Sequence, residues 1–113
     1  MTFKMMIATT ESIPGHAVSE YKGLVWASSA RSRNAIMDMG AVMRTLAGGE
    51  IKIYNRMLND ARAHAIKTLS ENAFKMGANA IVGVRFGSTQ IISSTVEVTA
   101  YGTAVVVKSE KRK

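Results

Sequence analysis

Cysteine is absent from the 113-residue chain, which excludes disulfides, thiolate metal ligands and cysteine nucleophiles together. Imidazole is scarce. His16 and His64 are the two histidines, and a soft heavy metal needs thiolates or several imidazoles held at fixed separation. The eight acidic residues are scattered along the chain, so no carboxylate pair stands out for general acid–base work. Ser28-Ser29 and Ser93-Ser94 have no nucleophile elbow around them. Phosphate-binding glycine loops are missing too, since Gly48-Gly49 has neither a G-x-G-x-x-G nor a G-x-x-x-x-G-K context. Nothing marks a catalyst, and no cofactor is expected. No apolar run approaches the roughly 20 residues that span a bilayer. The opening Met1-Thr2-Phe3-Lys4-Met5-Met6-Ile7-Ala8 lacks the long apolar stretch of a secretory signal. A cytoplasmic location, no membrane partner and no sequence-specific nucleic-acid partner are expected.

What is present is the composition of a folded body, with 47% hydrophobic and 20% charged residues, enough apolar side chain for one compact core. The formal net charge is +7. The segment Lys108-Ser109-Glu110-Lys111-Arg112-Lys113 holds four of the fifteen Lys and Arg and reads as a basic C-terminal tail, 108–113, behind a single domain over 1–107. The charge left on the body favours anionic partners through an attraction that salt weakens.

Periodicity orders the domain. Met5 to Thr9 suggests a strand, and Ser12-Ile13-Pro14-Gly15 a turn. Ala17 to Ser28 reads as a second strand interrupted at Gly23. Ile36, Met39, Met43, Leu46 and Ala47 recur at helical steps between an Asn34 cap and the Gly48-Gly49 stop, which predicts a short helix. Tyr54, Leu58, Ala61, Ala65, Leu69, Ala73 and Met76 form the stripe of a longer helix closed by Gly77. Ala80 to Phe86 follows as a strand, with Ala80, Val82, Val84 and Phe86 on one side and Ile81, Gly83 and Arg85 on the other. Thr95 to Val107 alternates cleanly as a last strand, joined to the preceding one through a turn near Gly87 to Ser94. The expectation is an α+β domain, an antiparallel sheet packed on one long helix plus a short one. Its other sheet face, carrying Arg85, Tyr101 and threonines, is then left for a second copy in a symmetric homo-oligomer.

Ile7-Ala8-Thr9-Thr10, Ile13-Pro14-Gly15, the run Gly77 to Arg85, and Gly102-Thr103-Ala104-Val105-Val106-Val107 stand in an order and spacing that resembles the YbjQ family, a group described as heavy-metal-binding. The likeness runs from Met5 to Val107. It implies a dodecin-like subunit in a ring-shaped homo-oligomer, a pentamer, and it singles out Asn79 within the matching run.

For ligands, the residues favour a small anion over a metal. Eight methionines could offer thioethers, but they fall largely at core-facing spacing, and His16 and His64 lie in different elements as the weak alternative for metal. Lys52 and Arg56 sit near the start of the second helix, where free N–H groups suit an anion. Arg31, Arg33, Arg44 and Arg85, combined across subunits with Trp26, Tyr54 or Tyr101, would form an interfacial pocket in which arginines hold phosphates and aromatic faces stack a base. The expected function is non-enzymatic binding of a small anionic ligand, a nucleotide being one such, with sequestration as a use. The alternatives are a heavy-metal-binding protein and a structural ring that binds a protein partner.

Overall fold

Five elements follow one another in a computed structural model that describes residues 4–32, 50–92 and 95–110: β1 (Met6–Ile7), β2 (His16–Ser32), α1 (Glu50–Lys75), β3 (Ala80–Ile92) and β4 (Thr95–Ser109). The short helix expected between Asn34 and Ala47 lies outside the described residues, and so do Arg33 and Arg44.

The strands form one sheet in the order β1-β3-β4-β2. β4 lies between β2 and β3 and pairs antiparallel with both. The sheet is mixed rather than wholly antiparallel, because β1 runs parallel to β3, with Met6 opposite Ala80. The reason is topological. β1 and β2 occupy opposite edges, so residues 8–15 must cross one end of the sheet as a strap. On the way Ala8 N–H donates to Ile81 O (2.9 Å) and Gly83 N–H to Thr10 O (2.8 Å). Ile13 and Met6 thereby pack on Ala80, Val82, Val105 and Val107, a small second core at that end.

α1 covers the opposite face. Its buried positions are Met57, Ala61, Ala65, Leu69 and Ala73, a strict four-residue repeat. A turn takes 3.6 residues, so each step advances the stripe about 40° around the helix, and the ridge winds as the twisted sheet beneath it does. Alanine at three of these positions brings the helix backbone close to Val25 and Ala27 of β2 and to Val98, Ala100 and Ala104 of β4. Gly77, at φ +89°, ends the helix. Its N–H donates to Phe74 O (2.9 Å) and that of Ala78 to Ala73 O (3.0 Å), the paired bonds of a left-handed glycine cap.

β3 departs from the expectation in two ways. It extends through Ile92, so the residues from Gly87 onward that read as a turn continue the ladder, Gly87 facing Thr99 and Ser88 facing Val98. The register also slips between Val82, opposite Thr103, and Arg85, opposite Tyr101. Gly83 sits in this bulge at φ +63°, a backbone shape open to glycine and costly for other residues. The simple alternation is thus broken: Val84 joins Ile81 in the helix-side core. Gly102, across from the bulge, is held to glycine by contact. A Cβ there would lie 2.9 Å from Ile81 Cγ2, 3.0 Å from Val82 O and 3.1 Å from Val84 Cγ2.

Candidate functional site on the open sheet face

Opposite α1 the sheet exposes large side chains. Trp26 is 60% exposed, Tyr101 43%, Leu24 63% and Tyr21 71%. Register aligns three of the residues singled out in the sequence, for Tyr101 lies between Trp26 of β2 and Arg85 of β3. Directly opposed side chains on one sheet face are about 5 Å apart at Cβ, so Trp26, Tyr101 and Arg85 form a continuous row. Its neighbours along the strands are Leu24 and Thr103 on one side and Ser28 and Thr99 on the other, whose hydroxyls meet at 2.9 Å.

The Gly83 bulge is what delivers Arg85 to this row. Uninterrupted alternation from Ile81, which packs under the helix, would carry Arg85 to the same side. One extra residue turns it outward, a common use of a bulge. Arg85 Nη1 then donates to Thr9 O (2.8 Å) and Val84 O (2.9 Å), tying β3 to the strap. Between strap and sheet lies a cleft of about 400 Å³ lined by Glu11, Tyr21, Val82, Gly83, Arg85 and Thr103. A second hollow, about 310 Å³, lies where Leu24, Val25 and Trp26 approach Asn72, Lys75 and Met76. There Asn72 Nδ2 donates to Trp26 O at 3.0 Å and fastens the helix end to β2.

The other expected residues lie elsewhere. Arg31 is farther along β2, opposite Val96, and donates to Ala30 O. Lys52, Tyr54 and Arg56 belong to α1, which packs on the other side of the sheet, so a single chain does not gather them with the row. Asn79 is occupied by backbone: Nδ2 donates to Val107 O (3.0 Å) and Oδ1 accepts from Val107 N–H (2.8 Å). Its side chain extends the ladder beyond the end of β3. Thr103 is one of the threonines the sequence places on this face, whereas Tyr21, Leu24 and Glu11 are not among its candidate site residues. The signal for Tyr21 was blurred by register shifts between Val18 and Glu20 and between Tyr21 and Gly23, which change the facing parity along β2.

The two histidines are apart. His16 Nδ1 is 3.1 Å from Pro14 O, and His64 Nδ1 is 3.1 Å from Ser29 Oγ, at the helix–sheet junction. Among the described residues no group of three or more His, Cys, Asp or Glu could hold a metal ion. None of the described helices is long and apolar enough to cross a membrane.

The sequence model of the YbjQ family, described as "Putative heavy-metal-binding", matches residues 5–108. The chain belongs to the YbjQ family. An UPF0145 protein of Pseudothermotoga lettingae is 45% identical over 104 residues, 92% of this chain and 98% of that protein. An UPF0145 protein of Thermococcus kodakarensis is 41% identical over 107 residues, 95% of each. The crystal structure of a protein of unknown function from Pediococcus pentosaceus, of the DUF74 family, superposes with a TM-score of 0.62 at 21% identity, covering 92% of this chain and 98% of that one. This last likeness supports the α+β fold, a curled mixed sheet on one helix.

Proposed function

We propose that this YbjQ-family chain is a non-enzymatic binding protein that works as a homo-oligomer and holds a small anionic ligand at its open sheet face. The observation that carries the reading is the aligned row of Trp26, Tyr101 and Arg85. Two aromatic faces and a guanidinium, side by side and exposed, suit a planar or anionic group through stacking and paired hydrogen bonds. A face with so much exposed aromatic surface is also what a second copy would cover. Metal binding, the family's description, finds less support in this chain, given the two distant histidines.

The test is native mass spectrometry followed by calorimetric titration with inorganic phosphate, nucleotides and divalent metal ions. The reading expects an assembly larger than one chain and anion affinity that Arg85→Ala abolishes. It fails if the chain is a monomer that binds none of the anions. Metal uptake lost only on joint replacement of His16 and His64 by alanine would favour the family's description instead.

A further inference from the structure

The cleft beside Arg85 carries both signs of charge. Glu11, from the strap, and Arg85, from β3, line the same space of about 400 Å³. Among the ion pairs and hydrogen bonds of the described residues, nothing joins these two side chains, and the Glu11 carboxylate takes no partner. Both are exposed. Opposite charges that border one cleft without meeting each other are complementary to a molecule that carries both.

We infer that this cleft binds a small zwitterion of the amino-acid class, its carboxylate on Arg85 and its ammonium on Glu11. The inference deepens the anionic-ligand reading and rests on it, since Arg85 is common to both. A guanidinium has five N–H donors. The two on Nη1 are used by Thr9 O and Val84 O. The Nε–Nη2 edge keeps three, and such an edge accepts a carboxylate through two parallel bonds. Anchoring Nη1 to backbone fixes the fork in advance, so less side-chain freedom is lost when a ligand arrives. Gly83 leaves the floor clear, for a Cβ built there would meet nothing within 4 Å. Thr103 and Tyr21 add hydroxyl groups to the lining, and the volume lies at the lower end of the range for small-molecule sites.

The experiment is calorimetric titration of the full chain with a series of ω-amino acids of increasing length, each beside the carboxylic acid of equal length without the amine. One length should bind best, and its amine-free counterpart should bind at least about tenfold more weakly, the loss expected for a missing charge-assisted hydrogen bond. Glu11→Gln, an exposed and conservative change, should erase that preference. Arg85→Lys should weaken acid and amino acid alike. The inference is overturned if the amine-free acid binds as tightly as the amino acid, or if Glu11→Gln leaves amino-acid affinity unchanged. Binding of inorganic phosphate through Arg85, tightened by Glu11→Gln and without any amino-acid binding, would sink the zwitterion and leave the anionic-ligand reading standing. Absence of binding by every probe would remove both.

Discussion

The two faces of β4 are made from different kinds of residue, though they alternate along one strand. Toward α1 it presents Val96, Val98, Ala100, Gly102 and Ala104, all buried. Away from α1 it presents Thr95, Glu97, Thr99, Tyr101 and Thr103, half-buried or exposed. The first set is small and aliphatic because α1 meets it through an alanine ridge, and close packing tolerates little change in volume. The second set is polar with one aromatic, the composition of a sheet face that no helix of the same chain covers. The open face also changes along its length. Past Thr103, Val105 and Val107 are buried again under Ile13 and Met6, so the strap leaves the Trp26–Tyr101–Arg85 row bare and covers the end beyond it.

Substitutions on the two faces should separate accordingly. Leu69→Ala empties the largest buried position of α1, a side chain with no exposed surface, and should cost about 3 kcal/mol in urea unfolding. Gly102→Ala should cost about 2 kcal/mol by the same measurement, because Ile81 and Val84 must move and the Val82 carbonyl cannot give way as a side chain would. Trp26→Ala should cost about 1 kcal/mol or less in unfolding of the isolated chain, while lowering the mass seen by sedimentation. Equal losses for Trp26→Ala and Leu69→Ala would erase the distinction between the faces and make the open one a second core.

Much of the covered face was readable in the sequence. The alanines at 61, 65 and 73 with Leu69, and the alternation from Val96 to Ala104, carry their own periodicities. Met57 is legible too as a core-facing methionine, and it is buried, but its place in a ridge that steps by four and drifts from the ideal helical period is not. The open face was readable only in its members. The sequence joins Trp26, Tyr101 and Arg85 only through a pocket shared between subunits, whereas their alignment within one chain depends on cross-strand register and on the bulge at Gly83. A single glycine in an apolar run does not announce whether it adds a residue to a ladder. The parallel pairing of β1 was equally hidden, since a two-residue strand has no period, and Asn79 gave no sign that both ends of its amide would serve Val107.

The pairing of β2 with β4 has a consequence for the order of folding. β3 and β4 are neighbours in sequence and can zip as a hairpin from local contacts, and α1 can form on its own backbone bonds. β2 is made early, yet its ladder partner is the last strand of the chain, with His16 opposite Ser109. Contacts so distant in sequence require a large loop to close before they reward it, which slows folding. During synthesis β2 therefore waits as a long unpaired strand with Leu24, Trp26 and Tyr21 in water, and the native sheet is sealed only after the C-terminal strand is complete.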